Sequence, residues 1–270
     1  MYYGFYYDWT YILVLIGVVL SLFASSQVKG TFAKYSKIRS YSGMTGREAA
    51  EQILRRNGIY DVQVTHIAGN LTDHYDPRNK TLALSDPVYN STSVAAIGVA
   101  AHECGHAVQH FEGYAPLSIR GALVPVVNFG SMISWPLIII GLFMNGQMSS
   151  FLIDIGILLF MVAVAFHLIT LPVEINASRR AVKVLGNSGM LREDEVGGVK
   201  KVLRAAAMTY VASAAAMILQ LLRLLILTNG RRRWATHVLQ WTSTEGSNTV
   251  MWSKPLKMFS VQIAGCNPPV

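Results

Sequence analysis

The stretch GVAAHECGHAVQHFEG, residues 98–113, sets His102, His106 and His110 at intervals of four, with Glu103 directly after the first. Four residues rise about 6 Å along an α-helix, close to one turn, so two imidazoles at that interval can converge on one metal ion. Glu103 is rotated by about 100° from His102, which turns it toward a metal-bound water instead of the metal. Zinc in such a place lowers the pKa of its water to about 7, and the carboxylate takes the proton as hydroxide attacks a carbonyl. A purely structural zinc site would gain nothing from Glu103.

On a continuous helix His110 lies about 12 Å along the axis from His102, too far to share an ion bonded at about 2 Å. Packing or an interfacial contact suits His110 better, and the third ligand is expected from elsewhere. The segment LPVEINASRRAVKVL, residues 171–185, offers Glu174, with Ser178 and Arg179 following on the same helix. Glu193, Asp194 and Glu195 are the rivals, but a bunched acidic run suits a solvated helix amino terminus. Asp154 and His167 stand inside an apolar run, where ionisable residues call for a partner or a role.

The surrounding chain is far more apolar than a soluble domain of its length. Of its 270 residues 52% are hydrophobic and 14% charged, and the mean hydropathy is +0.36. The excess sits in blocks, about 9–26, 121–144, 151–172 and 205–229, each about long enough to cross a bilayer. The fourth is weaker, being Ala-rich and carrying Gln220 and Arg223. The first is no signal peptide, because MYYGFYYD lacks Lys and Arg and includes Asp8; its aromatic residues suit an interfacial belt before an uncleaved anchor.

The net charge is +8, and ten of the 23 Lys and Arg lie between Lys29 and Arg120, seven more between Arg179 and Arg204. The linker NGQMSS, 145–150, has none. By the positive-inside rule both basic loops are cytoplasmic and the amino terminus is outside, although Arg231, Arg232 and Arg233 run against that orientation. The basic bias is therefore a topology signal with a role at the lipid surface, and nucleic acid is not an expected partner. Cys104 and Cys266 make no disulfide framework.

These blocks leave segments 28–120 and 172–204 to carry chemistry. Thr45 and Glu48 form a capping box for a helix that stops at Gly58. Residues 62–67 and 81–85 alternate as strands do, around the turn-rich GNLTDHYDPRN, which predicts a β-hairpin on that helix. A helix follows from about Ser93 to Phe111. Another is expected to start near Pro172, break at the GNSG of 186–189, and give way to a last helix starting at REDE. The tail 234–270, rich in Ser, Thr and Trp, shows no chemistry and is expected to be disordered.

The order of DHYDPRNKTLALSDPVY, VAAHECGHAVQH, LPVEINASRRA and VLRAAAMTYVASA resembles the YugP-type bacterial membrane family of neutral zinc metallopeptidases over about residues 1–233. The resemblance implies a mainly α membrane protein with about four transmembrane helices and a small gluzincin-like α+β unit between the first two. It implies one Zn2+ per chain on His102, His106 and Glu174, with Glu103 as general base. More distant membrane peptidases place an acidic residue four after the ligand Glu; here Ser178 stands there, and its hydroxyl can accept an imidazole N–H.

The expected activity is that of a membrane-embedded zinc endopeptidase in the bacterial plasma membrane, acting on a peptide or protein at the cytoplasmic face. The competing expectation is a membrane scaffold with a structural zinc. TLALS, with Leu82 and Leu84, is either an ordinary paired strand or a strand edge for an extended substrate; Tyr210, within an apolar helix, suits packing better than its alternative role of stabilising an oxyanion.

Overall fold

The computed structural model describes residues 8–244. The aromatic cluster of residues 2–7 and the stretch 245–270, Cys266 included, lie outside the described residues. The helices, the last of them as far as Ile226, and the layer they carry belong to the first of two compact units, Met1–Ile226; the second begins at Leu227.

Among the described residues four helices are long and apolar enough to cross a membrane: α1 (Tyr11–Tyr35), α5 (Ala115–Phe143), α6 (Gln147–Ser188) and α7 (Glu193–Thr244, of which the part to Thr228 qualifies). Twenty-five residues at about 1.5 Å each make α1 about 37 Å long, more than the roughly 30 Å of a bilayer's hydrocarbon core. Leu15, Val19, Leu22 and Phe23 stay exposed on it, as suits a helix solvated by lipid. α7 continues to Thr244, into the stretch expected to be a disordered tail.

Small residues set the helix pairings, because packing rather than the hydrophobic effect holds helices together in lipid. α5 and α6 form a hairpin in which Ser134 Oγ donates to Gly156 O (2.9 Å) and Ser149 Oγ donates to Gly141 O (2.6 Å). A Cβ at Gly156 would lie 2.6 Å from an Ile138 side-chain carbon, and one at Gly141 would lie 2.7 Å from Ile153. α1 and α7 run antiparallel. Gly17 packs on Ala216, Tyr35 on Gly198, and at the far end Arg223 reaches Asp8 at 3.1 Å. That pair accounts for the charge that weakens the fourth apolar block.

α6 is one continuous helix through Pro172, where a helix start was expected. Proline removes one N–H from the ladder and bends helices more often than it ends them when flanking residues pack well. Val173 and Ala177 beside it are fully buried. The real break is Gly189, in the left-handed region at φ +68°, just before the acidic start of α7. There Glu195 accepts from the Arg192 N–H at 2.8 Å and the Tyr41 N–H at 2.7 Å, so the acidic run serves as a helix cap.

Between α1 and α5 lies the small layer. α2 (Gly46–Arg56) starts at the expected capping box, with Thr45 accepting from Glu48 N and Glu48 from Thr45 N. α4 (Val94–Phe111) is capped by Ser93. The strands are β1 (Gln63–Ile67), β2 (His74–Asp76) and β3 (Thr81–Ser85), followed by the short α3 (Asp86–Tyr89).

The expected hairpin of 62–67 with 81–85 is not formed. β1 and β3 run parallel, and the true hairpin is β2–β3, giving the order β1-β3-β2. Alternation reveals a strand but not its direction, and the connection between β1 and β3 is long enough to insert a third strand. Asp73 secures it by accepting from Ser85 N (2.8 Å) and Ser85 Oγ (2.7 Å). Asp76 shapes the turn by accepting from Arg78 N and Asn79 Nδ2.

Candidate metal centre

The centre depends on how closely α4 and α6 approach. Cys104 and Gly105, between the histidines of HECGH, determine the packing of α4. Cys104 is fully buried and directs its Sγ to Ala50 O of α2 at 3.6 Å, and burial pushes its thiol pKa up. On another face, a Cβ at Gly105 would lie 2.6 Å from Ala177 O, so only glycine admits the α6 backbone there. Glu174 is three residues before Ala177 and therefore comes to the two histidines.

His102 Nε2 and His106 Nε2 lie 3.3 and 3.5 Å from the same oxygen, Glu174 Oε2. Donors bonded to zinc at about 2.0–2.1 Å with tetrahedral angles stand about 3.4 Å apart. The three ligand atoms all lie within 4.8 Å of one another, and this is the cluster among the described residues that could hold a metal ion. Two imidazoles and a carboxylate are a zinc donor set, so the residues present fit that ion. Burial disfavours a charged His106, but Glu174, Glu103 and Gln109 together outweigh burial and raise its pKa above the ordinary histidine value.

Each ring is oriented by its other nitrogen. His102 Nδ1 lies 3.2 Å from Ser178 Oγ, one turn beyond Glu174 on α6. His106 Nδ1 lies 3.0 Å from Gln109 Oε1. Gln109 is fully buried, and its amide nitrogen donates to Val173 O (2.8 Å) and Asn176 Oδ1 (2.9 Å). Both amide protons are thus used on α6, which leaves Gln109 Oε1 to accept from His106 Nδ1–H and directs the Nε2 lone pair at the cluster. Asn176 Oδ1 also accepts from Arg180 Nε, and Arg180 pairs with Glu112 at 2.6 Å.

Arg120, at the start of α5, donates from Nη1 to Glu174 Oε1 at 3.0 Å. Neither Arg120 nor Gln109 is singled out by sequence. An arginine at the mouth of an apolar helix has an ordinary role as an interfacial anchor, and a Gln among helix residues has none that spacing reveals. Glu103 is mostly buried, lies outside the cluster, and faces the same space as its members.

That space is two cavities meeting at the cluster. One, of ≈ 500 Å³, is lined by His74, Tyr75 and Arg78 of the hairpin, His110, Arg120, and the His102, Glu103, His106 and Glu174 side chains. The other, of ≈ 260 Å³, is mainly apolar, with Val28, Phe32, Val99, Val202 and Ala206, and shares His102, Glu103 and Glu174. Tyr210 of α7 lines both. A larger cavity behind the site, ≈ 640 Å³ between α2, α4 and α6, includes none of the cluster.

His110 stays outside the cluster, exposed, with Tyr75 Oη 2.9 Å from its Nδ1. Burial and the nearby Asp61 and Asp76 push the Tyr75 pKa up to about 12. Glu193, Asp194, Glu195, Asp154 and His167 are not members either. The substrate edge expected of TLALS is corrected. β3 is the central strand, paired on both sides, and Leu82 and Leu84 are fully buried in the core, so no free edge exists there. The outer strand beside the cavity is β2.

Residues 10–229 match the family described as "Putative neutral zinc metallopeptidase". The chain belongs to this family. It is 49% identical over 220 residues to "Putative membrane protease YugP" of Bacillus subtilis (strain 168), which covers 81% of this chain and 96% of that protein. No solved structure matches the chain. The family match spans the three cluster residues, Glu103, Arg120 and Tyr210, and all four membrane-length helices. The chain is a membrane protein of a zinc-peptidase family.

Proposed function

We propose that the chain is a membrane-embedded, zinc-dependent endopeptidase with one zinc per chain on His102, His106 and Glu174. The observation that carries this reading is the placing of Glu103, which lines both cavities beside a zinc-fitting donor set without belonging to it. Zinc held there supplies the Lewis acidity that makes a water nucleophilic near neutral pH. Glu103 takes that water's proton on its carboxylate and delivers it to the leaving amine. Ser178 and Gln109 hold the two imidazoles in the tautomer that frees Nε2. Arg120 holds Glu174 by its second oxygen, and Tyr210 donates to the carbonyl oxygen as charge builds on it. The small apolar cavity takes an apolar side chain of the peptide.

The basic loops favour a site on the cytoplasmic side with the amino terminus outside. Membrane-impermeant thiol labelling of cysteines introduced singly into a C104A/C266A background, which has no other cysteine, tests this. Position 147 should react from outside intact cells and position 80 should not; the reverse pattern overturns the orientation.

Glu103→Gln tests the chemistry. It removes the proton acceptor and preserves shape, so peptide turnover should fall about 100- to 10,000-fold while zinc content and melting temperature stay the same. Loss of zinc would make Glu103 a ligand or a folding element. Full biological activity with zinc bound would mean a scaffold with a structural metal instead.

A further inference from the structure

Where α6 and α7 leave their apolar segments they enclose an open groove of ≈ 560 Å³. Its rim carries Arg179 and Lys183 from α6 and Lys200 and Arg204 from α7, and no Asp or Glu lines it. All four cations are exposed, and none has an ion pair or hydrogen bond among the described residues. Each helix thus presents two like charges one turn apart, facing a second such pair across the groove. That arrangement repels itself unless an anion lies between.

Below the cations the groove is apolar, with Val182, Leu203 and Ala207. Exposed apolar surface continues along the same helices at Leu168, Met208 and Val211, in the membrane-spanning stretches. A soluble anion would satisfy the rim and leave this floor unused. A molecule with an anionic head and an apolar chain matches both.

We propose that the α6–α7 groove is a binding site for an anionic phospholipid, whose phosphate lies between Arg179, Lys183, Lys200 and Arg204 and whose acyl chain lies on Leu203 and Ala207. Ser178 lines the groove and also faces His102 Nδ1. The bound lipid is thus separated from the metal cluster by one side chain. The site does not depend on peptidase activity.

The test uses the full chain reconstituted in phosphatidylcholine vesicles containing spin-labelled phosphatidylglycerol or spin-labelled phosphatidylcholine. The motionally restricted fraction should favour phosphatidylglycerol. K200Q and R204Q should each lower that preference about fivefold, and R179Q/K183Q/K200Q/R204Q should abolish it. Lys201 is exposed on the same turn of α7 but does not line the groove, and K201Q should keep most of the preference. An equal fall in K201Q and K200Q would indicate diffuse surface attraction and overturn the site. Displacement of the label by glycerol phosphate or a soluble acidic peptide, as effectively as by unlabelled phosphatidylglycerol, would also overturn it. So would an unchanged preference in the quadruple variant.

Discussion

Arg120 Nη1 lies 3.0 Å from Glu174 Oε1, while the other oxygen, Oε2, faces His102 and His106 at 3.3 and 3.5 Å. One carboxylate is therefore shared between a fixed cation and the space a metal would occupy. This division holds Glu174 as a one-oxygen donor and ties α5 to the centre formed by α4 and α6.

Removing the guanidinium should loosen Glu174 without removing any ligand. Arg120→Ala is expected to weaken zinc affinity about 10- to 100-fold, as loss of such a supporting contact does elsewhere. Arg120→Lys should fall between, since an ammonium keeps the charge but not the planar fork. Chelator competition measures both, and unchanged affinity in Arg120→Ala would mean that Arg120 does not orient the carboxylate.

Gln109 is expected to matter through His106. Gln109→Leu keeps most of the volume but removes the acceptor of the imidazole N–H and takes one donor from Val173 O and one from Asn176 Oδ1, which keeps Arg180 Nε. Zinc affinity should drop about 10- to 100-fold, with a lower melting temperature even in the metal-free protein. Zinc titration and thermal melts read the two effects separately. Normal affinity would show that another contact holds the tautomer.

Gly105→Ala tests the approach of the helices. The new methyl would meet a backbone oxygen at 2.6 Å, and a backbone cannot turn aside as a flexible side chain can. Overpacking of this kind costs about 1–3 kcal/mol, and any relief moves Ala177 and Glu174 away from α4. Stability and stoichiometric zinc should fall together. Gly186→Ala, in open space on the same helix, should keep stoichiometric zinc and, by helix propensity, raise stability slightly.

The soluble layer carries its own pH dependence. Asp86 accepts from the Gly69 N–H at 2.8 Å and contacts His66 Nε2 at 2.7 Å, and these contacts hold its pKa below the ordinary 3.8. A lowered folded-state pKa contributes stability that is complete above the unfolded value and is lost as pH falls through the folded one. Asp86→Asn should therefore melt at a lower temperature than the wild type near neutral pH. The gap should narrow as pH falls below the ordinary carboxylate value and through the lowered folded one, and a gap that persists once the carboxyl is protonated would mean its charge is not the source.

The parts legible in the sequence were those governed by local rules. Thr45 with Glu48 announces a capping box because both partners lie within one turn. The four apolar blocks announce membrane-length helices because a bilayer demands a continuous run, and the histidine pair announces a possible metal face because one turn of helix brings them together. Pro172 misled because a proline's local preference for a helix start yields to buried neighbours. The strands of 62–67 and 81–85 misled because period-two alternation carries no direction, so TLALS became a central strand instead of an edge.

By itself the sequence determined that two imidazoles share a helix face with a carboxylate beside them, in a chain with membrane-length helices. Spacing along one element is enough for that. Only the tertiary structure decided that Glu174 meets them across 72 residues, that Arg120 and Gln109 contact Glu174 and His106, and that four cations on α6 and α7 line one groove. Those relationships depend on how closely separate helices pack, and that is decided by contacts such as Gly105 on Ala177, between residues far apart along the chain.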